Sequence, residues 1–270
     1  AGTAVLGRLT WLAATVAAAR EETPRVRTLE LDVEAWAGHR AGQHLDVRLT
    51  AEDGYQAQRS YSIASAPGDP LAITVERLED GEVSPYLVDD VQEGDVFEVR
   101  GPIGGYFVWD GDEPGPVLLV AGGSGVVPLM AMARLRARVG SDAPMRLVYS
   151  SRTWEDVIYR DELETLGIDV LHTLTRAQPP GWNGYSRRID DELLREVAFP
   201  AAEEPRGAGL QQDGLNLPLG LEPHGEQADL HPDQVRRLVD DPDRDHALAA
   251  RERHRAGGVR PDPREQVGQV

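Results

Sequence analysis

Residues 117–128 read Val-Leu-Leu-Val-Ala-Gly-Gly-Ser-Gly-Val-Val-Pro. Five apolar residues run straight into a glycine-rich turn, and a second apolar run follows. A short continuous apolar run bounded by glycine is the pattern of a strand buried on both faces. The second run predicts a helix through about Val139. Glycines at such a strand-to-helix turn let a phosphate approach the backbone, and the helix N-terminus supplies free N–H groups and a positive dipole end. Gly122, Gly123, Ser124 and Gly125 are therefore candidate pyrophosphate-cradling residues. The spacing is not the G-x-G-x-x-G of the dehydrogenases. Residues 114–133 carry no charge over a length able to span a bilayer, but Gly122, Gly123, Ser124, Gly125 and Pro128 break its middle. Two halves around a turn are expected here, not a membrane span.

Downstream of the turn the pattern alternates between strand and helix. Arg146–Tyr149 reads as a strand, residues 155–166 as a helix, Asp169–Leu174 as a strand and residues 189–197 as a helix. This is the signature of a parallel sheet with crossover helices. Upstream, Leu29, Leu31 and Val33 alternate with Glu30 and Asp32. Leu45, Val47 and Leu49 alternate with Asp46 and Arg48, and Leu71, Ile73 and Val75 with Ala72 and Thr74. Period-two runs broken by Gly, Asp and Pro predict an antiparallel barrel or sandwich. Residues 9–19 are apolar with Arg8 ahead, as in a signal peptide, yet a first strand is the better reading because only one charge precedes them.

Composition removes several chemistries. The 270 residues contain no Cys, so thiolate-held metal, iron–sulfur clusters, disulfides and thiol nucleophiles are excluded within this chain. All 28 basic residues are Arg, which excludes Schiff-base and P-loop lysines. A formal charge of −18 argues against a nucleic-acid partner. His39, His44 and His172 are scattered singly and read as structural. No metal site is expected.

Three short segments in the strand-rich half carry candidate binding groups. Arg59-Ser60-Tyr61-Ser62 closes one strand; an Arg there can hold a phosphate bidentately, and Tyr61 shares its strand face. Gly81-Glu82-Val83-Ser84-Pro85 predicts a helix with Ser84 as N-cap and Pro85 at the first helical position. Gly101-Pro102-Ile103-Gly104-Gly105-Tyr106-Phe107 reads as a turn. In the second half, Tyr149-Ser150-Ser151-Arg152 ends the second parallel strand, where a dinucleotide's adenosine ribose is met. Ser151, Arg152 and Arg160 offer donors, and no carboxylate sits at that strand end in the sequence. An Arg at this place accommodates a 2′-phosphate, which favours NADPH over NADH.

In this order, these segments resemble the ferredoxin–NADP reductase superfamily, and more narrowly its short bacterial FAD-binding oxidoreductases without a fused iron–sulfur domain. Arg59, Tyr61 and Ser62 match RxYS. Gly81 and Ser84 match GxxS, and Gly101, Pro102, Gly104 and Tyr106 match GPxGxF with Tyr for Phe. Gly122, Gly123, Gly125 and Pro128 match GGxGxxP. The resemblance implies a Greek-key antiparallel β-barrel holding FAD over residues 1–112 and a parallel α/β nucleotide-binding domain over 113–203. It implies hydride transfer from NADPH to FAD, then release of electrons to a separate one-electron acceptor such as a ferredoxin-like protein. Tyr61 and Ser62 would take the catalytic places against the flavin ring. Arg59, Val75, Gly81, Val83 and Ser84 would complete the FAD site, and Gly122–Gly125 with Ser151, Arg152 and Arg160 the NADPH site. A free-flavin or ferric-chelate reductase is the competing enzyme class. A cytoplasmic protein is expected; the oligomeric state stays open.

The resemblance stops near residue 203. The family's closing strand with a Cys-Gly-Pro-like turn, its helix and its terminal aromatic segment have no counterpart. After Glu203 there is no Phe, Trp, Tyr, Ile or Met, and Leu plus Val make 13 of 67 residues. That is below the ~20% needed to bury a core. The α/β domain is thus expected to be incomplete, with residues 204–270 a polar tail. The Arg, Pro, Gly and Asp bias of that tail is what GC-rich DNA encodes out of frame, so a frameshift near codon 203 is the leading expectation and a disordered extension the second. Without the nicotinamide-side elements, a flavin- or partner-binding module with little turnover is the alternative function.

Overall fold

The computed structural model describes residues 9–112 and 115–200. The expectations for residues 204–270, frameshifted or disordered, lie outside them.

Six antiparallel strands form the first sheet: β1 Leu12–Thr23, β2 Val26–Asp32, β3 His44–Thr50, β4 Gln56–Ser62, β5 Leu71–Glu76 and β6 Val96–Ile103. Their order is β4-β3-β6-β1-β2-β5, a Greek-key arrangement. The edges approach each other just past β4, where Ile63 bridges Ile73 and the Ala64 N–H donates to Ala72 O at 2.8 Å. The sheet thereby closes into a barrel around Leu29, Leu45, Val47, Ile63, Ile73 and Val99. The segment read against a signal peptide is β1.

Alternation holds in β2, where Leu29 and Leu31 are buried while Glu30 and Asp32 are exposed. It fails in β5, where Leu71–Val75 is buried on both faces. The second face of β5 is covered by the parallel half: Thr74 accepts a hydrogen bond from the Tyr159 hydroxyl. Asp46 is also buried, satisfied by Ser60 Oγ at 2.6 Å, Gln58 Nε2 at 3.1 Å and an Arg100 guanidinium at 2.6 Å.

The second sheet is parallel, in the order β7-β8-β9, from β7 Val117–Gly122, β8 Met145–Ser151 and β9 Asp169–Leu174. A 3-10 turn at Gly123–Gly125 leads into α1, Val126–Val139, which ends on Gly140 in the left-handed conformation. That C-terminus is the usual glycine stop. The helix expected over 155–166 is only α2, Arg160–Leu163, because Tyr159 at φ +58° breaks the helical path before it. Helix α3, Asp191–Val197, is capped by Asp190 Oδ1, which accepts from the Leu193 N–H at 2.8 Å. It covers one face of the sheet with Leu193 and Val197 against Leu118 and Val148.

Helix α1 covers the other face and also reaches the barrel. Leu129, Met130 and Met132 share one core with Ala41, Ala64, Ala66 and Ala72. The small barrel residues let the helix approach. Gly42, at φ +100°, is required there: a Cβ would stand 2.1 Å from Phe107 O and 2.8 Å from Met132 Cε.

Candidate functional site

Strand β4 presents Arg59, Tyr61 and Ser62 opposite Val47, Leu45 and His44 of β3. Arg59 and Tyr61 therefore share a face, as period two requires. The Arg59 guanidinium is half-exposed and donates to Glu82 Oε2 at 3.2 Å and to Gln58 O at 2.7 Å. Glu82 Oε1 accepts from the Tyr55 hydroxyl at 3.1 Å. These contacts bring the β4 end and the 78–84 loop together, so Arg59 and Gly81–Ser84 form one surface. Tyr61 is half-buried against the barrel core. Burial pushes its hydroxyl above the ordinary tyrosine value, leaving a neutral flat ring.

Ser84 is not the N-cap its sequence suggested. It already lies in the helical turn, and its Oγ accepts from the Leu78 N–H at 3.1 Å. The Gly81 N–H donates to Leu78 O at 3.0 Å, and a Cβ on Gly81 would meet Ser84 Oγ at 2.8 Å. Gly81 and Ser84 thus close a tight loop ahead of a single π-type turn, Tyr86–Asp90. Val75 and Val83 are fully buried in the barrel core. Their side chains pack beneath this surface, so only their backbone is open to a ligand there. Tyr106, matched to an aromatic of the turn motif, projects wholly into solvent.

At the nucleotide side, Gly122 is extended at φ −131° and Gly123 has φ +52°. A Cβ at Gly122, Gly123 or Gly125 would meet nothing within 4 Å. These glycines leave an open cradle at the start of α1. The turn is held from beneath by buried Tyr149, whose hydroxyl donates to Gly123 O at 3.1 Å and accepts from the Ile158 N–H at 3.3 Å. Ser124 is half-buried.

The second-strand end departs from expectation. Ser151 is only 5% exposed, so its hydroxyl is not a surface donor. Arg152 remains 39% exposed, but two carboxylates flank it: Glu76 of β5 at 3.8 Å and Asp156 at 3.6 Å. Asp156 lies four positions on and was visible in the sequence; Glu76 comes from the barrel and was not. Arg160 is part-exposed, 3.6 Å from Asp161, with its guanidinium 6.0 Å from the Trp154 ring centre. Sequence reading also missed Arg134 of α1. It grips Glu162 with two donors, at 2.8 and 2.6 Å, and Ala64 O at 2.6 Å. No local pattern distinguishes it from a surface helix Arg. His39 is structural: its Nε2 lies 3.0 Å from Ser65 O.

An antiparallel barrel with an Arg-x-Tyr-Ser edge, joined to a parallel sheet with an open glycine turn, has known counterparts. Residues 13–108 match the oxidoreductase FAD-binding domain and residues 119–208 the oxidoreductase NAD-binding domain. The chain belongs to the ferredoxin–NADP reductase superfamily. It is 39% identical over 198 residues to ferredoxin–NADP reductase B of Sorangium cellulosum, covering 68% of this chain and 79% of that one. It is 38% identical over 155 residues to the NADH oxidoreductase HCR of Escherichia coli, spanning 56% of this chain and less than half, 47%, of that relative. The FAD/NAD-binding domain of a Vibrio cholerae nitric oxide dioxygenase superposes with a TM-score of 0.63 at 22% identity, over 70% of this chain and 82% of its own. Members of this superfamily are NAD(P)H–FAD oxidoreductases, and the chain is an enzyme of that class. Among the described residues no helix is long and apolar enough to cross a membrane.

Proposed function

We propose that this reductase-superfamily chain binds FAD along the end of β4 and the 78–84 loop, binds NADPH at the glycine turn, and delivers electrons to a separate one-electron acceptor. The observation that carries the reading is the pairing of two fitting sites that α1 connects. The open Gly122–Gly125 cradle has room that any Cβ would fill, and helix α1 leads from it to the backbone two residues past Ser62. A half-exposed Arg59 beside a half-buried flat Tyr61 fits a phosphate and an aromatic ring side by side. When bound, the two cofactors supply a hydride transfer from nicotinamide to flavin, after which the electrons leave singly.

This chain's own residues bind and orient. Arg59 holds phosphate, displacing Glu82 as its partner. Tyr61 lies against the flavin ring and Ser62 hydrogen-bonds near its edge. Gly81 and Ser84 shape the loop whose backbone meets the diphosphate, over the packing of Val75 and Val83. Gly122, Gly123, Ser124 and Gly125 receive the nucleotide pyrophosphate, with Tyr149 fixing the turn. Arg152 and Arg160 meet the 2′-phosphate, which supports NADPH; Ser151 packs under them. The name of the Sorangium relative supports NADP and a ferredoxin-like acceptor, whereas that of the Escherichia coli relative is an NADH enzyme. With an overall charge of −18, an acidic acceptor must dock at a local Arg patch.

One observation favours a second reading. Among the described residues β7 pairs only with β8, so its other edge has no partner there. A chain that holds flavin but lacks part of the nucleotide domain would be a binding module with little turnover. Purified protein decides between them: FAD on acid extraction with NADPH oxidation supports the enzyme, and retained FAD without oxidation supports the module. FMN or no flavin overturns both.

A further inference from the structure

The two halves are joined by buried polar contacts to which the proposed reaction assigns no role. The Tyr159 hydroxyl, just before α2, donates to Thr74 Oγ1 on β5. Thr74 and Thr28 face each other across β5 and β2 with their hydroxyls 2.8 Å apart. Thr28 donates onward to Glu22 Oε1 at 2.6 Å. Each hydroxyl has one proton, so only one assignment satisfies all three bonds: Tyr159 to Thr74, Thr74 to Thr28, Thr28 to the Glu22 carboxylate. Tyr159, Thr74 and Thr28 are all buried. The chain is therefore directional, fully satisfied, and specific to one placement of Tyr159 over the barrel.

Two more observations point the same way. Tyr159 sits at φ +58°, the one non-glycine residue with positive φ among the described residues. A bulky residue holds that conformation only where its surroundings over-determine it. The Arg134 guanidinium lies 4.6 Å over the Tyr159 ring and, from the same position, donates to Glu162 and to Ala64 O. Ala64 follows Ser62 by two residues, and Arg134 belongs to the helix that starts at the glycine turn. Burial pushes the Tyr159 hydroxyl up to about 12, against the pull of Arg134, so it remains a donor at any working pH.

We propose that Tyr159 and Arg134 are positioning residues that clasp the nucleotide-binding half to the barrel, Tyr159 at Thr74 of β5 and Arg134, from the helix after the glycine turn, at Ala64 two residues past β4, and so set the distance between the two bound cofactors. The inference rests on the function proposed above. It adds that the spacing is imposed by this chain before either cofactor binds. A clasp matters because a misplacement of about 1 Å can cost on the order of 100-fold in rate. Their assigned role is exerted through the segments they join, Tyr159 through β5 and Arg134 through α1 and the residues past β4.

The test uses Tyr159→Phe, which keeps the ring and removes only the hydroxyl, with the near-isosteric Thr74→Val as second variant. In the cofactor-free protein, calorimetry should show one melting transition for the wild type and a broadened or split one for the Tyr159→Phe variant and for Thr74→Val. In the FAD-loaded protein, FAD content and NADPH Kd should stay within about twofold. Flavin reduction by NADPH should slow about tenfold or more, and the long-wavelength absorbance from nicotinamide–flavin contact should weaken. A fall in rate matched by an equal loss of NADPH affinity, or a reduction rate and absorbance unchanged in both variants, overturns the clasp. A wild type that retains FAD but is not reduced by NADPH or NADH overturns the function first, and this inference with it.

Discussion

Arg59 and Arg152 face the same problem: each is expected to hold a ligand phosphate, and each already has a carboxylate beside it. Arg59→Ala should weaken FAD binding by about 1.5–3 kcal/mol, the worth of a charge-assisted contact. Glu82→Gln should act oppositely, tightening FAD by about 0.2–1 kcal/mol, because Arg59 and Glu82 form a half-exposed pair that the diphosphate must break. Fluorescence titration of the apoprotein with FAD measures both, and equal losses in the two variants would refute the competition. At the other site, Arg152→Ala should cost about 1–3 kcal/mol in NADPH binding and leave NADH nearly unaffected. Asp156→Asn removes one of the flanking carboxylates and should shift preference toward NADPH by up to about 1 kcal/mol. Binding titrations with both nucleotides decide it; an unchanged NADPH-to-NADH ratio in Asp156→Asn would show that the carboxylate does not compete.

The strand-turn-helix of β7 and α1 separates two uses of glycine. Gly122 has an ordinary extended backbone and open space at its Cβ position. Gly122→Ala should therefore leave the melting temperature unchanged while the new methyl fills the cradle and weakens nucleotide binding about tenfold or more. Gly42, by contrast, combines φ +100° with a Cβ position 2.1 Å from Phe107 O. Gly42→Ala should cost about 3 kcal/mol or more and lower the melting temperature of the whole barrel–helix core. If thermal melts show Gly122→Ala to be as damaging as Gly42→Ala, the cradle is a packing site. At this scale the sequence read well: β2, β3, β5, β7, β8, β9 and α1 fall where apolar period and glycine punctuation place them. The long helix expected over 155–166 failed because Tyr159 adopts a left-handed backbone to reach Thr74, a demand made by the barrel 85 residues away.

Over the whole molecule, burial lowers the pKa values of His39, His44 and His172 from the ordinary 6.5. A lowered histidine means the folded state binds fewer protons than the unfolded chain. The stability these residues contribute is complete above 6.5 and is lost as pH falls below it. The melting temperature should therefore drop between about pH 7 and about pH 5. His172→Phe, which keeps the ring 5.1 Å from Trp154 while removing the titration, should flatten that drop; a slope unchanged in this variant would assign the acid loss elsewhere. The class of fold and the family are legible along the chain, since apolar period, glycine turns and the Arg-x-Tyr-Ser and Gly-Gly-x-Gly segments are local patterns that survive without knowledge of the third dimension. The sequence also exposed the compositional break near residue 204, outside the described residues. Tertiary structure alone decided which of those segments meet. Glu82 on Arg59, Glu76 on Arg152, Arg134 on Ala64 and Tyr159 on Thr74 are partners 23, 76, 70 and 85 positions apart. Closure of the barrel and docking of α1 bring them together, and no spacing along the chain encodes such through-space neighbours.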